Sequence, residues 1–276
     1  MFAENYFGVM QGRLLPKYKG RYQAHPVNYW QDEFRIANEI GLDCIEFILD
    51  YEDCDLNPLL NSQGIEEIKI LSEESNIEVK SICADYFMEA PIHNIDSKLA
   101  NNSADILKKL LENSTLLGVE NIVIPLVDQS SINSSQKEEL FVKKIREIID
   151  SLGDFEINLS LETDLPPDNF AKLLKNIDSK KIKVNYDIGN SASLGYDPVE
   201  ELRAYGADIS DIHIKDRVLN GGPVKLGEGN ANFDKFFLEL EKYHYSGPFI
   251  MQAFRDDEGI AIFKDQMNWI RSRYFL

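Results

Sequence analysis

Asn185-Tyr186-Asp187-Ile188-Gly189-Asn190 ends a strand-like run on a carboxylate and then turns. Three other stretches in the second half of the chain also end a run on a polar, metal-type side chain: Ser160-Leu161-Glu162-Thr163, Asp211-Ile212-His213-Ile214-Lys215-Asp216-Arg217, and Ile250-Met251-Gln252-Ala253-Phe254. Glu162, Asp187 and His213 are 25 and 26 residues apart, about one strand-plus-helix unit of a βα fold each time. In a (β/α)8 barrel such strand ends converge on one face, where active sites are built.

The same alternation runs outward to both ends of the chain. Candidate strands are Tyr6–Met10, Cys44–Phe47, Lys80–Ala84, Asn121–Pro125, Ile157–Glu162, Ile182–Asp187, Ile209–Ile214 and Phe249–Ala253. Several are continuous apolar, β-branched runs, the pattern of strands covered on both faces of a parallel sheet. Between them, Asn28–Ile40, Lys98–Leu117, Gln136–Leu152 and Phe233–Tyr243 carry apolar residues at intervals of three and four, the period of one buried helical face. Gly41, Gly118 and Gly247 stand where helices give way to strands. An open doubly wound sheet requires a glycine-rich nucleotide turn after the first strand. The turn here, Met10-Gln11-Gly12-Arg13-Leu14, has one glycine. The expectation is therefore an α/β protein, a single (β/α)8 TIM barrel, forming one domain over residues 1–276.

Composition narrows the function. A formal charge of −18 repels phosphate backbones and anionic membranes, so neither nucleic acid nor a membrane is an expected partner. No apolar run approaches the roughly 18 residues of a membrane span. Three cysteines without CxxC spacing, and a start lacking a basic segment followed by an apolar one, point to a reducing, cytoplasmic setting.

A lone strand-end carboxylate is more often a cap or an ion-pair partner, and a lone histidine is usually a hydrogen-bonded loop residue. Their conjunction at successive strand ends is what indicates a metal site. Adjacent barrel strands lie about 4.8 Å apart, so Glu162, Asp187, His213 and Gln252 can share one ion. Two carboxylates, an imidazole and an amide oxygen suit a divalent metal such as Mn, Mg, Co or Zn. Such an ion holds two neighbouring oxygens of a sugar and polarises its carbonyl, and a carboxylate beside it moves a proton at the next carbon. That is the chemistry of aldose–ketose isomerases and of epimerases acting beside a ketone.

The run His213-Ile214-Lys215-Asp216-Arg217, then Leu226-Gly227-Glu228-Gly229 and Phe233, resembles the xylose isomerase-like TIM-barrel superfamily. It is most similar to the sugar and sugar-phosphate epimerase branch, which includes L-ribulose-5-phosphate 3-epimerase and D-tagatose 3-epimerase. Leu161-Glu162, Asp187-Ile188-Gly189-Asn190 and Gly247-Pro248-Phe249-Ile250 fit the same pattern. The resemblance implies a metal held by Glu, Asp, His and Glu, with the two glutamates exchanging a proton at C3 on opposite faces of an enediolate. By position these fall on Glu162, Asp187, His213 and Gln252. The second glutamate is thus an amide here, which has no usable acid–base pKa. Glu162 is left as the catalytic base, with one-base isomerisation or a catalytically impaired sugar-binding or regulatory barrel as the other readings. A DNA-repair relative of this superfamily would need many histidines and a basic surface, and this chain has four histidines.

The expected ligand is a small sugar or sugar phosphate, and a homodimer is open because barrels of this type commonly pair. Asn190 is placed either to bond a sugar hydroxyl or to cap the next helix. Arg217 is expected to touch substrate, and Glu228 to orient His213 or touch substrate. Arg13, with His25 and Arg255, is a candidate for gripping a phosphate or carboxylate. Glu46 is expected at the end of the second strand, behind the ligands or on a sugar hydroxyl. Tyr86 and Phe87, after Asp85, are expected to stack on a sugar face. Lys215 is expected to face the helices, and His93 and His244 to be ordinary surface or loop residues.

Overall fold

Apolar β-branched residues fill the strand positions that face the helices, and this closes the sheet. In the computed structural model, which describes residues 2–153, 155–257 and 259–275, strands β1 (Phe7–Met10), β2 (Cys44–Ile48), β3 (Glu78–Cys83), β4 (Asn121–Leu126), β5 (Asn158–Thr163), β6 (Ile182–Asp187) and β7 (Ile209–Ile214) are followed by a short ribbon, β8 (Asp216–Arg217) and β9 (Pro223–Val224), and by β10 (Phe249–Met251). All but the ribbon pair in parallel, and β10 lies between β7 and β1 to complete a closed eight-stranded barrel. The expected single TIM barrel is what forms. No helix of the described residues is long and apolar enough to cross a membrane.

Two cores follow from the alternation of side chains along each strand. The outward positions, among them Val9, Ile45, Phe47, Ile82, Ile122, Ile124, Leu159, Leu161, Val184, Tyr186, Ile212, Ile214, Phe249 and Met251, pack under the helices. A small second cluster of Met10, Cys44, Ile48, Cys83, Val123 and Ile250 lies inside the barrel. The rest of the interior is polar: Glu46, Ser81, Asn121, Ser160, Asn185, Asp211 and His213 are all buried. At Gly8 a Cβ would meet Cys44 Sγ at 2.4 Å, so the crowded interior leaves room only for glycine there.

The pairing shifts by one residue between β6 and β7: Val184 faces Ile209 but Asn185 faces Asp211. Ser210 is the extra residue, and the bulge turns both Ser210 and Asp211 inward. Ser210 Oγ meets Ser160 Oγ at 2.8 Å, and Asp211 Oδ1 accepts from Asn185 Nδ2 at 3.0 Å. Bulges commonly re-aim side chains beside functional sites, and this one sets His213 on the interior face. The sequence reading gives the bounds of β7 correctly but not this irregularity.

Most expected boundaries shift by one to three residues, and two of the changes bear on the barrel mouth. The helix expected from Asn28 begins at Asp32, because Asn28 takes a positive φ of 77°. The strand expected to run to Ala253 ends at Met251, although Gln252 N still donates to Ile214 O at 3.0 Å.

The loop beyond β7 is organised by one carboxylate. Buried Asp216 accepts from Gly227 N and Gly229 N (each 2.9 Å) and from Ala231 N (3.0 Å). A Cβ at residue 229 would lie 2.2 Å from Asp216 Oδ1, which explains that glycine. Removing the carboxylate leaves three backbone donors without their acceptor, and the expected cost of Asp216→Ala is about 2–4 kcal/mol. Chemical denaturation of the variant checks this; a loss under about 0.5 kcal/mol, the size of an ordinary surface change, contradicts it.

Candidate functional site

Alternation and the Ser210 bulge place Asp211, His213 and Lys215 on one inward line. His213 is wholly buried, and its Nε2 lies 2.8 Å from Glu46 Oε1. Glu46 Oε2 accepts from Ser81 Oγ at 2.6 Å. Asp211 Oδ1 stands 3.8 Å from the same imidazole nitrogen. Burial alone would push His213 down, but the charge and hydrogen bond of Glu46, with Asp211 and Glu162, outweigh it and raise its pKa to about 10. Nε2–H therefore points down to Glu46 and Nδ1 points the other way, 4.0 Å from Asp187 Oδ2, with no hydrogen-bond acceptor among the described residues.

Asp187 is the last residue of β6 and the cap of the helix Ile188–Leu194, its Oδ1 accepting from Asn190 N at 2.8 Å. Asp187, not Asn190, is thus the cap, and both ends of the Asn190 side chain are engaged by side chains. Asn190 Nδ2 donates to Glu162 Oε1 at 2.5 Å, while its Oδ1 accepts from Arg217 Nη1 at 2.8 Å. Arg217 Nε donates to Gly221 O at 3.0 Å, which ties it to the ribbon loop. Burial, then the charge of Asp187, raises the Glu162 pKa to about 7, with His213 and Lys215 pulling it back.

Ligand atoms of Glu162, Asp187 and His213 all lie within 4.8 Å of one another. Glu46, Asp211 and His213 make a second such group one layer deeper. The deeper group is sealed inside the barrel, whereas the upper one meets a cavity of about 340 Å³ through Glu162. Gln23, Asp85, Met88, Glu162, Asn190 and Gln252 line the cavity, with Lys215 and Arg217 among the other lining residues. Gln252 is buried; its Nε2 donates to Gln23 Oε1 at 2.9 Å, and its Oε1 has no hydrogen-bond donor among the described residues. The His213 imidazole nitrogen without a partner stands beside two carboxylates, and the Gln252 amide oxygen, also without one, belongs to the cavity that Glu162 lines; these are atoms a divalent cation would satisfy. Asp85, Asp128, Glu162 and Asp164 outnumber Lys215 and Arg217 in the lining, so the field favours a cation.

The structure distributes the other sequence candidates unevenly. Glu46 lies within β2 rather than at its end, sealed against His213 and away from the cavity. Arg13 donates to Gln23 Oε1 at 3.3 Å and lies behind the lining; burial lowers its pKa to about 10. Glu228 is exposed on the loop held by Asp216 and is not part of the cavity wall. His25 is buried against Trp30 and Phe47, and burial pushes its pKa down to about 3, so it does not grip an anion. Arg255 is turned outward, with Nε on Arg13 O at 2.8 Å and its guanidinium over the Tyr22 ring. Tyr86 and Phe87 are buried in a short helix, and Met88 forms that wall instead. His93 is buried against Phe141 rather than exposed.

Lys215 does not face the helices. It stands two residues after His213 and so shares its face, and Nζ reaches Asp187 Oδ2 at 3.4 Å. The same step of two backward from His213 would have found Asp211. Gln23 belongs to the β1 loop, and no local pattern marks it.

A family model described as xylose isomerase-like TIM barrel matches residues 34–273. A curated relative, L-ribulose-5-phosphate 3-epimerase UlaE of Salmonella paratyphi A, is 24% identical over 262 residues, covering 88% of this chain and 89% of its own. Among solved structures, the IolI protein with a bound zinc atom aligns with a TM-score of 0.76 at 18% identity, over 98% of this chain and 99% of that one. D-psicose 3-epimerase from Clostridium cellulolyticum H10, solved with D-tagatose, aligns with a TM-score of 0.74 at 17% identity, over 98% and 99% of the two chains. At these identities the structural likenesses speak for the fold.

If Glu46 holds the His213 proton, Glu46→Gln removes the main charge opposing burial and leaves only Asp211 and Glu162 against it. The imidazole pKa in metal-free protein is then expected to fall well below about 10, read by NMR titration of the ring. An unchanged titration contradicts the assignment of Nε2–H to Glu46.

Proposed function

The chain belongs to the xylose isomerase-like TIM-barrel family, and on that premise we propose that it is a divalent-metal-dependent isomerase or epimerase of a sugar or sugar phosphate, with Glu162 as its base. One observation carries the reading: ligand atoms of Glu162, Asp187 and His213 lie within 4.8 Å of one another, and Glu162 shares a cavity wall with Gln252, whose Oε1 has no hydrogen-bond donor among the described residues.

Those four residues would hold the ion, and Nδ1 is the atom His213 offers, because Nε2–H is committed to Glu46. When bound, a divalent ion supplies Lewis-acid polarisation of a sugar carbonyl and its neighbouring oxygen. Glu162 is suited to take the proton from the adjacent carbon, since its pKa of about 7 matches a base working near neutrality. The C–H electron pair becomes the double bond of an enediolate and the carbonyl π pair moves to oxygen. Asn190 fixes one Glu162 oxygen by donating to it, so the other oxygen is left for the proton. Arg217 fixes Asn190 in turn.

Return of that proton by Glu162 to the neighbouring carbon on the same face, with the hydroxyl proton passing to the former carbonyl oxygen as the new carbonyl forms, gives isomerisation. Inversion at one carbon needs a second acid on the opposite face, and the Gln252 amide cannot serve. Gln252 is also the observation that favours a second reading, a barrel that binds a sugar and its ion without turning the sugar over.

Two expectations separate the readings. Metal-free Glu162 is largely protonated below about pH 7, and His213 below about pH 10, so an entering ion must displace protons. Affinity for Mn2+ is expected to rise with pH from about 6 to 9, with about one proton released per ion at pH 8 and more at pH 6. Titration calorimetry in buffers of different ionisation enthalpy measures this, and pH-independent affinity sinks the ligand assignment. With metal bound, ketoses are expected to take up solvent deuterium, and Glu162→Gln to slow that by about 10²–10⁴-fold while still binding metal. Binding of metal without exchange on any ketose points instead to the non-catalytic barrel.

A further inference from the structure

Gln252 is an amide, and an amide can face a cation with the wrong end. Its NH2 would repel the ion that its oxygen attracts, so something must decide which end points where. The deciding contacts run across the cavity wall. Gln252 Nε2 donates to Gln23 Oε1 at 2.9 Å, and Gln23 Nε2 donates to Asp85 Oδ2 at 2.9 Å. Arg13 Nη2 donates to the same Gln23 Oε1 at 3.3 Å.

The two ends of this chain cannot exchange roles. An ionised carboxylate only accepts and a guanidinium only donates. Gln23 therefore has to turn its NH2 to Asp85 and its oxygen toward Arg13 and residue 252. Gln252 must then give its NH2 to Gln23, which leaves Oε1 as the atom without a protein partner, as observed. A carboxylate at 252 would set oxygen against the oxygen of Gln23, so the surroundings are built for the amide.

Building on the metal reading above, we propose that Gln23, polarised between Asp85 and Arg13, is the positioning residue that makes Gln252 an oxygen ligand for a divalent cation. Gln23 itself does not touch the ion. Its loss frees the Gln252 amide to turn or swing, and the ion loses a fixed neutral ligand.

The test is a double-mutant cycle read by Mn2+ titration calorimetry on the full chain: wild type, Gln23→Met, Gln252→Ala and the pair. Gln23→Met is expected to weaken Mn2+ by about 10–100-fold, the usual effect of removing a partner that orients a ligand. In the Gln252→Ala background the same change is expected to have almost no further effect. The pair Gln23→Glu with Asp85→Asn keeps an oxygen toward Gln252 and Arg13 and supplies an amide donor to the other carboxylate oxygen; it is expected to recover most of the lost affinity, and it also serves if Gln23→Met fails to fold. Wild-type affinity in Gln23→Met, an equal loss with and without Gln252, or the Gln23→Glu, Asp85→Asn pair as weak as Gln23→Met would each overturn the proposal. Absence of Mn2+ binding by the wild type is a different result, since it removes the metal reading beneath it.

Discussion

The contact between His213 Nε2 and Glu46 Oε1, at 2.8 Å inside the barrel, is the constraint on which the site depends. Both side chains are fully buried, and Asp211 beside them is too. Ionised groups out of reach of water are costly unless paired and hydrogen-bonded. Ser81 answers that cost by donating to Glu46, while burial and the charge of Glu46 push the Asp211 carboxyl well up, toward its neutral form. The result is an imidazole that cannot rotate and carries its second nitrogen upward. The geometry of the cavity floor follows from that single orientation.

From that floor the site is built outward by neutral amides that pass orientation along. Asn190 relays Arg217 to Glu162, and Gln23 relays Asp85 and Arg13 to Gln252. Each relay begins at a group of fixed polarity and ends at a proposed ligand. Charged residues thus act here mostly by setting which end of an amide faces the cavity. This arrangement also explains why Arg13 stays buried behind the wall: its charge is spent on Gln23 and on the carboxylates around it.

The barrel was legible because strand periodicity is local. Ile182–Asp187 and Ile209–Ile214 can be read with their bounds from β-branched runs alone. Glu162, Asp187, His213 and Gln252 stand within one residue of a strand's end, and strand ends of a barrel meet, which is why a sequence reading singles them out. Gln23 was not, since its position comes from a loop folding across the mouth and leaves no periodic mark. Asp211 was hidden by the Ser210 bulge, a register fact set by pairing with β6 rather than by the run itself. Lys215 shares the inward face of His213, since positions two apart on a strand lie on one side. Tyr86 and Phe87 failed as sugar platforms because a short helix forms there and turns both rings into the core.

The most direct measurement is a crystal structure of the protein soaked with Mn2+, with anomalous scattering used to locate the ion. One strong peak is expected at the cavity floor, bonded to Glu162, Asp187, His213 Nδ1 and Gln252 Oε1, with Nε2 still on Glu46. A peak bonded to His213 Nε2 in the deeper group with Glu46 and Asp211, or no peak within reach of His213, would contradict the account.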